Sequence, residues 1–462
     1  MENQENAEQI DMLHGSIWKK LPVFAMPVAA TGILEQLFNA SDLAVVGNFT
    51  GSGSTAAVAA VGANTSLIGL ILNLFIGVSL GTNVIIALGI GQKNETAVTK
   101  AVHSSILFAL IGGLAVAVIG QLFAAPIMQL LQVPSDVFDL ALLYFRIYLV
   151  GMPVILLYNF EAAIFRSVGE TRIPLIALAV SGVLNVLLNL FFVIVLHMSV
   201  KGVAIATVIS NAISSVLLYI RLRKTDQIIH VDPKKLKMDW KCLGRILKIG
   251  VPAGVQTAVF SLANIVIQSA INSLGTIVMA ASSAAFNIEV FCSYIFGSFT
   301  QACTTFTGQN FGAGKLKRCG KILRISLIES FISLAVSVVV VLLFGKNLLA
   351  IFNNNPQVIE IGYIRLVLIT LSFFFSMFYD IISGYLRGFG ISLVPALLTM
   401  LGVCGTRLIW IQTVFQQHTF ESIMMVYPVS LAITALLMIG ALIYYNPVKR
   451  FRNQDGAVET EY

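Results

Sequence analysis

The chain has 462 residues, of which 57% are hydrophobic and only 11% charged, with mean hydropathy +0.88 and formal net charge +7. A soluble domain carries about 25% charged residues, so the bilayer is the expected solvent for most of this chain, which excludes an ordinary soluble enzyme. A nucleic-acid partner, which the net charge alone would allow, is excluded by where the basic residues lie.

Residues 1–20 are polar and form an expected cytoplasmic tail with no cleavable signal sequence. Apolar runs of about 20 residues suffice to cross a bilayer. Six are predicted at 21–46, 56–84, 101–125, 140–165, 173–197 and 201–222, and together make an N-lobe over 21–222. A basic linker follows at 223–242. Six more spans are predicted at 245–272, 277–305, 319–344, 360–386, 393–415 and 421–445, a C-lobe over 243–446, before a cytoplasmic tail at 447–462. Gly51-Ser52-Gly53, Pro134, Pro174, Asp232-Pro233, Pro356 and Pro447 punctuate these runs.

When the connections are numbered alternately, 24 of the 29 Lys and Arg residues collect on one side, nine of them between Arg221 and Lys248. The other side has only Lys201 and Lys346, and Arg146, Arg365 and Arg407 fall within or at the ends of spans. Basic residues mark the cytoplasmic face, so both termini are predicted inside. The linker is expected to lie against anionic lipid head groups.

The two halves repeat. Arg166, Gly169 and Pro174 recur as Arg387, Gly390 and Pro395, 221 positions on. Pro27 and Pro252, Gly91-Gln92 and Gly308-Gln309, and Tyr144-x-Arg146 and Tyr363-x-Arg365 match at offsets from 217 to 225. Six spans per repeat is an even number, so the repeats are parallel. The predicted fold is an all-α integral membrane protein, with twelve transmembrane helices as two six-helix bundles related by a pseudo-twofold along the membrane normal. The Arg-x-x-Gly strings read as architecture: a cation at a helix C-terminus, a glycine cap and a proline opening the next helix.

Intramembrane carboxylates are expensive and need a reason. In the first span Glu35, Asn39 and Asp42 follow i, i+4, i+7 spacing, with Gln36 beside them. This polar stripe reads as a cation or proton site, against the blander reading of interhelical glue. Asn185 and Asn189 lie one turn apart in the fifth span, and Thr207 lies in the sixth; their neutral oxygens suit Na⁺ beside a carboxylate, or a carboxyl that takes up a proton. Further intramembrane acids are Glu161, Glu289 and Asp380, and Gln256, Asn264 and Gln268 form a stripe on the seventh span. These five acids outnumber the three bases Arg146, Arg365 and Arg407, which favours cationic substrates. Arg407 is expected to pair with one of the acids.

The five cysteines have no C-x-x-C spacing and read as small hydrophobes. Gly308 to Lys315 lacks phosphate-loop spacing, and no nucleophile, base or metal set stands together, so neither an enzyme nor a resident cofactor is expected.

Several strings together resemble the multidrug and toxic compound extrusion (MATE) transporters, of the bacterial type. They are Q-L-F-N-A-S-D-L-A-V-V-G-N-F-T-G in the first span, T-G-Q-N-F-G-A-G-K after the eighth, Y-L-R-G-F-G-I-S-L-V-P after the tenth, and V-C-G-T-R-L-I-W-I near 403–411 with Tyr427-Pro428 beyond. The resemblance covers about residues 17–447. It implies a multi-pass protein of the bacterial plasma membrane that exports amphipathic, often cationic compounds against Na⁺ or H⁺. It implies that Asp42 is the first-span aspartate of an N-lobe cation site, with Asn185 and Thr207 at other positions of that site, where Na⁺ is a possible ligand. Many relatives carry N-x-x-x-D-P on the fifth span; this chain has Asn185-x-x-x-Asn189-Leu190, so one carboxylate is an amide. Glu35 is the candidate to supply the missing charge.

The expected ion-coupling residues are thus Asp42, Glu35, Asn39, Asn185, Asn189 and Thr207. The expected substrate-contacting residues are Gln36, Glu161, Gln256, Asn264, Glu289 and Asp380. The expected partners are organic cations or amphipathic drugs and membrane lipid, with the protein a monomer. The alternatives are a lipid-linked precursor flippase or dedicated metabolite exporter of the same fold, or, in another class, a membrane receptor or scaffold that transports nothing.

Overall fold

A computed structural model describes residues 9–50, 54–415 and 419–452. The predicted Gly51-Ser52-Gly53 turn and the outer parts of both tails (1–8 and 453–462) lie outside the described residues. Among the described residues the secondary structure is helical throughout. In the first half the helices are α1 (Ile17–Phe49), α2 (Ser54–Gly91), α3 (Glu95–Leu130), α4 (Ser135–Val150), α5 (Met152–Ser167), α6 (Arg172–Leu190) and α7 (Ser199–Lys224). In the second half they are α8 (Trp240–Asn272), α9 (Thr276–Gly312), α10 (Leu316–Ala350), α11 (Pro356–Gly388), α12 (Leu393–Thr399), α13 (Thr406–Thr413), α14 (Phe420–Met424), α15 (Val426–Tyr445) and α16 (Pro447–Arg452). Among the described residues eleven stretches are long and apolar enough to cross a membrane, and α4 with α5, taken as one bent span, makes a twelfth.

That twelfth span is bent by 51° at Gly151. Pro153, in the first turn of α5, has no N–H to continue the ladder of α4. Its repeat mate α11 runs 33 residues with proline only at its first position, and shows no such break. The repeat is also imperfect at the fifth span. There α6 passes into a π-helical turn at Phe191–Val195, and α12 passes into another at Met400–Gly405 before α13.

The chain forms two compact units. Unit 1 takes the residues up to Ile10, Ala30–Ile90 and Asn94–Val251; unit 2 takes Asp11–Ala29, Gly91–Lys93 and the chain from Pro252 onward. The basic linker thus counts with unit 1. Its Asp239 receives the Cys242 N–H at 2.8 Å and pairs with Lys100 at 3.1 Å, and these partners hold its carboxyl below the usual aspartate range.

In unit 1, α3 packs tightly on α5: a Cβ at Gly113 would stand 2.5 Å from the Pro153 backbone. In unit 2 the most extensive pairing is α9 with α11. Gly384 and Gly388 make it possible, since a Cβ at either would meet Thr300, Thr304 or Thr307 of α9 within 3.0 Å. Small residues four apart let membrane helices approach closely. Gly384→Ala is therefore expected to destabilise the protein by about 1–3 kcal/mol, read as a lower thermal midpoint in detergent; an unchanged midpoint would mean the pair yields without strain.

The repeated Arg-x-x-Gly strings end their helices alike. Gly169 (φ +91°) and Gly390 (φ +80°) are left-handed. Their N–H groups bond the carbonyls of Arg166 (3.1 Å) and Arg387 (2.7 Å), while Glu170 and Ile391 reach back to Phe165 and Leu386, both at 3.0 Å. This is a Schellman cap, and only glycine holds that backbone without strain. Pro174 and Pro395 fall at the third residue of α6 and α12.

Candidate functional site

In unit 1, one buried carboxylate gathers the polar residues of three helices. Asp42 of α1 is 5% exposed and sits beside the core residues Val45 and Val46. Asn189 of α6 donates from Nδ2 to its Oδ1 at 2.5 Å, and Thr207 of α7 donates from Oγ1 to its Oδ2 at 3.0 Å. Asn189 Nδ2 also donates to Asn185 Oδ1 at 3.1 Å, and Asn185 Nδ2 reaches Thr207 Oγ1 at 3.5 Å. Among the described residues, both hydrogen-bond donors to Asp42 are neutral. Its charge is answered by dipoles alone, which is costly out of water.

Local structure places these groups. Asn185 and Asn189 share a face of α6 at i, i+4, and Asn189 lies two residues before the π-helical turn. Such bulges shift the register of a helix face and recur at functional sites. Asn189 is fully buried, and its Oδ1 has no hydrogen-bond partner among the described residues. If that amide turns over, Oδ1 faces Asp42, where it would accept from a protonated carboxyl or join a cation's oxygen ligands. The donor set thus fits either H⁺ or Na⁺.

The other unit 1 residues expected at a site stand apart from this cluster. Glu35 and Gln36 are half-buried on α1, and Glu35 lies within electrostatic range of Arg166. Asn39 is exposed, although it belongs to the same i, i+4, i+7 stripe. Glu161 is fully buried between the core residues Phe160 and Ala162; its Oε2 accepts from Ser215 at 2.9 Å and its Oε1 has no partner among the described residues. Sequence reasoning missed Tyr144 and Tyr148 of α4. Their rings, 6.2 Å apart, stand within electrostatic range of Asp42.

Unit 2 holds a partly open cavity of about 370 Å³. Gln256, Asn264, Glu289 and Asp380 all line it, with Gln268. Arg365 of α11 holds Glu289 of α9 in a bidentate pair, Nε to Oε1 at 2.9 Å and Nη2 to Oε2 at 3.1 Å, with both residues buried. Gln256 bridges Arg387, which donates to its Oε1, and Thr399, whose Oγ1 accepts from its Nε2 at 2.9 Å.

Two expectations are corrected here. Arg407 pairs with no acid among the described residues: it donates to Asn264 Oδ1 (2.5 Å) and Ser430 Oγ (3.5 Å) and lies against the rings of Phe260 and Tyr427. Arg387 does more than end a helix, since it is 8% exposed and lines the cavity. Helix side chains slant toward the N-terminus, so an arginine in the last turn of α11 reaches back along it.

A family model described as MatE matches residues 27–191 and 252–410, most of both halves. The chain belongs to the MatE family. Among curated members it is 27% identical over 438 residues to the probable multidrug resistance protein YoeA of Bacillus subtilis, covering 92% of this chain and 93% of that one. It is 26% identical over 400 residues to the probable multidrug resistance protein NorM of Thermotoga maritima, covering 85% and 84%. A solved outward-facing structure of a multidrug resistance MATE family transporter of the MOP superfamily superposes with TM-score 0.88, over 96% of this chain and 99% of that one. At 19% identity that likeness shows the fold alone. The MatE match to both halves accords with the repeat read from the sequence.

Proposed function

We propose that this MatE protein exports amphipathic organic compounds across the cytoplasmic membrane by alternating access, driven by inward movement of Na⁺ or H⁺ through the Asp42 site. The observation that carries this reading is a buried carboxylate whose donors among the described residues are all neutral, beside an amide oxygen with no partner among them. Such a group gains most from a bound cation or proton, and it joins three helices whose packing that occupancy can bias. The multidrug resistance names of the relatives support drugs as the substrates. The excess of basic residues on one set of connections supports cytoplasmic termini.

The energetics suffice. One charge moving down 100 mV releases about 2.3 kcal/mol. At about 1.4 kcal/mol per decade, that sustains roughly a fortyfold gradient of a neutral substrate without ATP.

The test is efflux of fluorescent amphipaths from proteoliposomes, with Na⁺ and pH gradients imposed separately. One gradient should accelerate efflux severalfold over liposomes with no gradient. Lipid translocation indifferent to both gradients would support the flippase reading instead. No flux of either kind would leave a receptor or scaffold.

A further inference from the structure

The cavity of unit 2 has the wrong charge for a cation. Three guanidinium groups line it, Arg365, Arg387 and Arg407, against two carboxylates, Glu289 and Asp380. The pairing is uneven. Glu289 has both oxygens engaged by Arg365. Arg407 is 1% exposed, and its partners among the described residues are an amide oxygen, a hydroxyl and two aromatic faces. Arg365 and Arg407 both border the Tyr427 ring, with guanidinium carbons 5.6 and 4.8 Å from its centroid. Arg387 donates to the neutral Gln256, and its buried Nε has no partner among the described residues. Asp380, two turns before Arg387 on α11, is the one carboxylate left to balance Arg387 and Arg407.

The five intramembrane acids named from the sequence are divided between the units: Glu35, Asp42 and Glu161 belong to unit 1, Glu289 and Asp380 to unit 2. A buried guanidinium answered only by neutral groups is costly, and a ligand anion relieves that cost at the moment it binds. The rest of the wall is aromatic, with Phe260, Phe286, Phe296 and Phe373. A volume of about 370 Å³ lies in the range of small-molecule sites.

From this arrangement we infer that the unit 2 cavity binds an organic anion, a carboxylate or phosphate on an apolar body. The charge lies in the field of Arg407 and Arg387, and the body lies against the phenylalanines. This deepens the export reading and rests on it, because it names the class of compound the exporter takes. Arg407 becomes a specificity residue, and a compound with a cationic head is disfavoured at this cavity.

The experiment uses the full chain in nanodiscs of neutral lipid, without any gradient. Two fluorescent probes share one body, dansyl-phenylalanine and its uncharged amide. The acid should bind more tightly than the amide by roughly tenfold to a hundredfold, the worth of a charge-assisted hydrogen bond. Arg407→Gln should abolish that preference, and Arg407→Lys should keep part of it. If Arg407→Gln does not fold, Arg387→Gln should weaken the preference in the same direction.

Equal binding of acid and amide by the unaltered protein, or tighter binding of the amide, overturns the inference. So does a preference that survives both glutamine variants. Competition separates the sources of such an anion. Displacement of the probe by phenyl phosphate at the lower concentration supports a soluble substrate, and displacement by dihexanoyl phosphatidic acid supports a lipid head group. Displacement by neither overturns the assignment to this cavity. Because binding is read without a gradient, its failure leaves ion-driven export standing, and an absence of gradient-driven flux leaves the binding result standing.

Discussion

Asp42→Asn is expected to reduce ion-driven efflux from proteoliposomes to the level of protein-free vesicles while the protein still inserts and folds. The substitution keeps the shape of the side chain. Its amide oxygen can still accept from Asn189, and the Thr207 hydroxyl can turn to accept instead of donate. The stability change should stay within about 1 kcal/mol, the usual net worth of one such hydrogen bond. What disappears is the only group in the cluster that can change charge. A neutral site gains little from a cation or proton, and a ligand without differential affinity for the two conformations shifts no equilibrium. Efflux that persists at the original rate under an imposed Na⁺ or pH gradient would contradict this role.

Glu289→Ala is expected to destabilise the protein by about 3–5 kcal/mol, because it strands the Arg365 guanidinium in a buried site. The loss is chiefly that of an unanswered charge, not of an attraction. The double variant Glu289→Leu with Arg365→Met should therefore recover most of the stability, since apolar replacement of a buried pair is often neutral or better. Thermal unfolding in detergent reads both. A Glu289→Ala midpoint equal to that of the unaltered protein would show that Arg365 finds another partner, with Tyr427 the nearest candidate.

The membrane fold was legible because its signals are long. Twenty-residue apolar runs, basic loops and a 221-residue offset survive without any knowledge of tertiary contacts. The bend at Gly151 was less visible, since apolar length runs on unbroken through Pro153. At the Asp42 site, polar residues stand out because each is costly in an apolar helix, so Asn185, Asn189 and Thr207 could be named in advance. Their pairing distances could not be, nor could the π-helical turn after Asn189, which no local composition marks.

The first-span stripe misled in detail. Glu35, Asn39 and Asp42 share a helix face within about 60°, yet Asp42 is buried and Asn39 exposed. Spacing gives a common face; the neighbouring helices decide which part of it they cover. The cavity charge was misjudged for a related reason. Counting charges over all spans mixes two units, and Arg387 looked like a helix end because the sequence does not show how far back a long side chain reaches.

The central claim is that Asp42 is the group that takes up the coupling ion. The most direct measurement is ion binding to purified protein, with calorimetry for Na⁺ and a pH indicator for protons, on the unaltered chain and on Asp42→Asn side by side. One saturable binding event is expected in the unaltered protein and none in the variant. The same event in both proteins would contradict it.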